Sequence, residues 1–77
     1  MDIRTIQREI KDEYIKAKAK YNRPFASHHE AYAVILEELD ELWDEIKKKE
    51  INYDLKAQRK EAMQVGAMIL RFINELT

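Results

Sequence analysis

The chain has no cysteine, a single glycine and a single proline in 77 residues. Without cysteine there is no disulfide framework and no thiolate metal site, so any metal must be held by oxygen or histidine ligands, and a reducing compartment suits the chain. With so few turn residues, few connections are possible, and the abundant Ala, Leu, Ile, Glu, Lys and Met favour a small number of long helices. No window approaches the roughly 20 consecutive apolar residues of a membrane span. The opening MDIRTIQREI also lacks the uninterrupted apolar stretch of a signal peptide, so a cytoplasmic location without a membrane partner is expected. An excess of charge of one sign is missing too. Charged residues make up 38% of the chain but the net charge is -1, which gives no basis for capturing a nucleic-acid polymer.

What is present reads as one domain, 1–77, with an all-α fold of three helices. Asp2 is a candidate cap for a first helix reaching about Tyr21, with Ile3, Ile6, Ile10, Tyr14, Ala17 and Tyr21 forming one stripe. Pro24 ends it, and Phe25 is expected to pack in the loop. Ser27 and Glu30 have the spacing of a capping box, opening a second helix that should extend to about Lys49. Its apolar arc holds Tyr32, Ile35, Leu36, Leu39, Leu42, Trp43 and Ile46, so Tyr32 and Trp43 are expected in the core. Asp54 caps a third helix, Leu55 to Leu76, whose apolar residues spread almost all the way round; such a helix must be central.

A chain this short hides only about 60% of its unfolded surface when it folds alone. Three amphipathic helices, one of them nearly all-apolar, leave a large patch to cover. A helical bundle formed by homo-oligomerisation, as a dimer or a tetramer, is therefore expected.

The chemically informative stretch runs from Glu37 to Glu45 and holds six acidic residues in nine positions. At about 100° per residue Glu38, Glu41 and Glu45 fall within a sector of about 60°, on the edge of the apolar arc. Glu38 and Glu41 have the i, i+3 spacing that lets two carboxylates converge on a hard cation such as Mg²⁺. The alternative is a solvated acidic face balanced by lysines. Glu61 projects onto an apolar sector of the third helix beside Val65, Met68 and Phe72, and a carboxylate there needs either a basic residue or a metal facing it. Cations for a phosphate are available at Lys16, Lys20, Arg23, Lys56, Arg59, Lys60 and Arg71, of which Lys16, Lys20 and Lys60 are the chosen candidates. His28 and His29, beside a helix cap, are read as exposed residues outside the site.

Glu37-Glu38-Leu39-Asp40-Glu41 followed by Glu61-Ala62-Met63-Gln64 resembles the two half-motifs, E-E-x-x-E and E-x-x-D, of the MazG family of all-α nucleoside triphosphate pyrophosphohydrolases. The string from Ser27 to Leu36 is similar to small phage and bacterial members. The likeness implies Mg²⁺-dependent hydrolysis (with Mn²⁺ as a substitute) of a nucleoside triphosphate to the monophosphate and pyrophosphate, in nucleotide-pool house-cleaning. Glu38, Glu41 and Glu61 would be metal ligands, and Glu37 or Glu45 the base that orients or deprotonates water. Gln64 stands where the family has Asp; it offers an amide oxygen but no charge. A non-catalytic helical oligomer binding a nucleotide or a protein is the competing expectation.

Overall fold

The computed structural model describes residues 2–77 (at 52, the backbone alone). It is all-helical: α1 (Ile3–Lys20), α2 (His28–Ile46), a one-turn 3-10 segment (Glu50–Asn52) and α3 (Leu55–Leu76). Each long helix begins where a side chain accepts from an otherwise unpaired backbone N–H. The Asp2 carboxylate accepts from Thr5 N at 2.9 Å, the Ser27 hydroxyl from Glu30 N at 3.0 Å, and Asp54 from Lys56 N at 3.0 Å and Ala57 N at 3.1 Å.

Two local expectations are corrected. Glu30 does not close a capping box on Ser27: its carboxylate accepts from Ala26 N at 3.0 Å and binds Arg23 through both oxygens at 2.9 and 3.1 Å. A bidentate guanidinium contact outcompetes a single backbone donor, and the result is a strap across the loop between α1 and α2. The second helix stops at Ile46 rather than Lys49, as Lys47 and Lys48 turn back onto Asp44 (3.0 Å) and Glu45 (2.7 Å).

α3 packs against both α1 and α2, which do not pack on each other. The ion pair Glu9–Arg59 and the hydrogen bond from Gln64 to Glu13 run in step along the two helices, so α1 and α3 are parallel. His28 meets Phe72 near one end while Glu38 and Glu41 meet Glu61 towards the other, so α2 is antiparallel to α3. The core is small: Ala17, Phe25, Ala31, Ala67 and Met68, with Tyr14, Val34, Ile35, Phe72 and Leu76 against it. Alanines from all three helices let the backbones approach. Gly66 does the same opposite Ile10, since a Cβ there would sit 3.3 Å from its side chain.

The apolar arc of α2 is not the core. Ile35 joins it and Leu42 is half-buried, but Tyr32, Leu36, Leu39, Trp43 and Ile46 are exposed, Tyr32 at 68% and Trp43 at 57%. The fold uses the neighbouring face, with Ala31, Val34 and Ile35, because small residues permit close helix approach and the bulky ones do not. The exposed five follow one another at steps of four, three, four and three, the spacing of a seam that pairs with another helix. Ile69, Leu70 and Ile73 of α3 are exposed as well. Among the described residues no helix is long and apolar enough to cross a membrane.

Candidate metal and phosphate site

Because α1 and α2 stand apart on either side of α3, an open groove of about 920 Å³ runs between them. Glu37, Glu38 and Glu41 of α2 form one wall; Glu13, Lys16 and Lys20 of α1 form the other. The floor is Lys60, Glu61, Gln64, Met68 and Arg71 of α3, and Arg23, Phe25 and Glu30 close one end.

One carboxylate oxygen from each of Glu38, Glu41 and Glu61 lies within 4.8 Å of the others. The i, i+3 pair on α2 thus meets the single carboxylate of α3, bringing together the three acids read as ligands. Burial, followed by the charge and hydrogen bond of Glu41 and the charges of Glu61 and Glu37, pushes Glu38 up from 4.5 to about 7. Burial also raises Glu61, with the hydrogen bond and charge of Glu41 and the charge of Glu45 adding to it and Lys60 opposing. No lysine or arginine among the described residues forms an ion pair with Glu61, although the charge of Lys60 acts on it. Three oxygen donors that repel one another until a proton or a cation comes between them suit a hard divalent ion.

The remaining candidates divide. Lys16, Lys20 and Lys60 all line the groove. Lys16 stands 3.5 Å from Glu13, and Lys20 lies over the Tyr21 ring at 5.3 Å. Glu37 lines it at the α2 wall, whereas Glu45 lies outside the lining and is held by Lys48. Gln64 lines the floor, and its side-chain nitrogen donates to Glu13 at 2.6 Å. Lys56 and Arg59 line a separate smaller cavity, where Arg59 pairs with Glu9 at 2.6 Å. Arg71 is buried rather than a surface cation: it binds Glu75 and lies 3.9 Å over the Phe25 ring. His28 and His29 are exposed, outside the lining.

Sequence reasoning missed Glu13 and the pairs Arg23–Glu30 and Arg71–Glu75. Glu13, Lys16 and Lys20 share one face of α1 at helical spacing, and Arg71 and Glu75 are i, i+4; both spacings were available as signals. Compared with protein-family models, curated proteins and solved structures, the chain matches none.

The raised carboxylate has a measurable sign. A group whose folded pKa lies above its unfolded value binds more protons when folded, so stability is lost as pH rises between the two. For Glu38 that window runs from 4.5 to about 7. At low ionic strength the melting temperature should be higher at pH 5 than at pH 8. Much of the difference should vanish in Glu38→Gln; an unchanged difference would remove the cluster as its cause.

Proposed function

We propose that the chain is a MazG-like, Mg²⁺-dependent nucleoside triphosphate pyrophosphohydrolase of the cytoplasm, acting as a homo-oligomer. The observation that carries this reading is the convergence of Glu38, Glu41 and Glu61 at one side of a groove whose opposite wall presents Lys16 and Lys20. The residues that would hold the ion are those three, with the Gln64 amide oxygen beside them. When bound, a divalent ion supplies charge neutralisation of phosphate oxygens and a water of lowered pKa. Lys16, Lys20 and Lys60 would hold the phosphates as point charges, leaving the triphosphate to span from the basic wall to the acidic one. Glu37, at the rim of the acidic wall, would accept the proton of the attacking water; Glu45, engaged by Lys48, is the weaker candidate.

The test is pyrophosphate release from a panel of standard and modified nucleoside triphosphates with Mg²⁺ or Mn²⁺. Monophosphate and pyrophosphate in equal amounts are expected; release of inorganic phosphate alone, or no metal-dependent product from a folded chain, would overturn it. Gln64 in place of an acid favours the second reading, a nucleotide-binding oligomer without turnover, in the latter case.

The oligomer would use the exposed seam of Tyr32, Leu36, Leu39, Trp43 and Ile46 with Ile69 and Ile73, which lies on the far side of α2 and α3 from the groove. Contiguous apolar surface of this kind marks an interface. Sedimentation velocity should give a dimer or tetramer for the natural chain and a monomer for Leu39→Glu; a natural monomer would exclude it.

A further inference from the structure

We infer that Glu13, on α1, is a positioning residue for the metal end of the groove: it holds the Gln64 amide so that oxygen, rather than nitrogen, is turned towards the carboxylates of Glu38 and Glu41. The inference rests on the metal-dependent reading above. Glu13 sits across the groove from those acids, its side chain 26% exposed, and accepts a 2.6 Å hydrogen bond from the Gln64 side-chain nitrogen. An ionised carboxylate accepts only, so it selects the amide's donor end. The nitrogen and oxygen of a planar amide diverge from one carbon, so they do not both face the same partner. With the nitrogen committed to α1, the oxygen is left for the α2 side of the groove, which Gln64 lines together with Glu38, Glu41 and Glu61. The reverse orientation would set oxygen against oxygen at Glu13 and present an N–H₂ group to a cation. Glu13 thus brings a negative charge within one hydrogen bond of a residue that has none, and ties α1 to a site otherwise built from α2 and α3.

Outer contacts that orient a metal-binding side chain change affinity by about tenfold to a hundredfold when removed. Mn²⁺ binding to the full chain, followed by titration calorimetry and by the Mn²⁺ electron paramagnetic resonance signal, reads this without turnover. Glu13→Ala should weaken binding by about tenfold. Glu13→Gln can pair with either end of the Gln64 amide and no longer selects the nitrogen, so it too should weaken binding, by less than Glu13→Ala. In a Gln64→Asp background the sign should reverse, with Glu13→Gln tightening Mn²⁺ binding because two facing carboxylates no longer repel. The reversal keeps the test alive should the alanine variant not fold. Equal binding by the natural chain and Glu13→Ala would overturn the role of Glu13 while leaving the metal site standing. Glu13→Gln as tight as the natural chain would overturn orientation as the cause, and a folded natural chain that takes no Mn²⁺ would overturn the metal site with it.

Discussion

Glu75→Ala is expected to lower the melting temperature by about 12 °C or more, a loss severe for a chain of this length. The Glu75 side chain is 3% exposed and accepts from Arg71 Nε at 3.1 Å, while its other oxygen accepts from Phe25 N at 2.7 Å. Lys18 of α1 approaches it at 3.7 Å, so one carboxylate ties α1, the loop and α3. Removing it leaves the buried Arg71 guanidinium, among the described residues, with the Arg23 carbonyl at 3.3 Å, the Met68 sulfur, aromatic faces and the more distant charge of Glu30, and leaves the Phe25 N–H without its acceptor. Breaking one side of a buried pair costs about 3–5 kcal/mol. Each kcal/mol moves the midpoint of a domain this size by about 4–8 °C.

Because the cost comes from the stranded charge, Arg71→Met combined with Glu75→Leu should recover most of the loss. A Glu75→Ala melt within about 3 °C of the natural chain would show that water reaches the pair. The acid limb gives an independent check. Burial pushes Glu75 up, but the hydrogen bonds from Arg71 and Phe25 N and the charges of Arg71 and Lys18 outweigh it and hold the group below 4.5. Its stabilisation is therefore complete above pH 4.5 and lost as pH falls through the lower folded value, a window separate from that of Glu38.

Helix starts were legible because their signals are local: Asp2, Ser27 and Asp54 cap three helices, and Leu55–Leu76 falls where its periodicity begins and ends, whereas the end of α2 goes with the ion pairs of Lys47 and Lys48. Periodicity finds apolar faces but not what covers them. α2 has two, the bulky seam of Tyr32, Leu36, Leu39, Trp43 and Ile46 and the smaller one of Ala31, Val34 and Ile35, and the second is the one that packs within the chain. Bulk suggested the wrong face because close packing of α2 on α3 is set by alanines. In the site, the i, i+3 spacing of Glu38 and Glu41 and the apolar neighbours of Glu61 were enough to bring the three acids together in expectation. The place of Glu13 was not, since it depends on the register of α1 against α3, which no spacing within either helix contains. The burial of Arg71, named among the cations available for a phosphate, was not legible either, because its aromatic cover, Phe25, comes from a loop 46 positions earlier.

Glu41→Gln should lower pyrophosphate release by about a hundredfold or more and yet raise the melting temperature in metal-free buffer. Glu41 is the middle member of the cluster, and its carboxylate raises both Glu38 and Glu61. Replacing it by a neutral isostere removes like-charge repulsion from the folded state, which accounts for the gain in stability. A cation's stabilisation of developing phosphate charge amounts to several kcal/mol, and each 1.36 kcal/mol corresponds to about tenfold in rate, which accounts for the loss of turnover. The two effects in opposite directions distinguish a functional carboxylate from a structural one: a structural Glu41 would lose stability on substitution, with no dependence on Mg²⁺. Added Mg²⁺ should close the gap between the two proteins by stabilising the natural chain more than the variant, since an ion that binds only the folded state raises its midpoint in proportion to its affinity. If Mg²⁺ shifts neither midpoint and the variant is simply the more stable protein, the acids are a strained surface cluster, and the groove must work through its lysines alone.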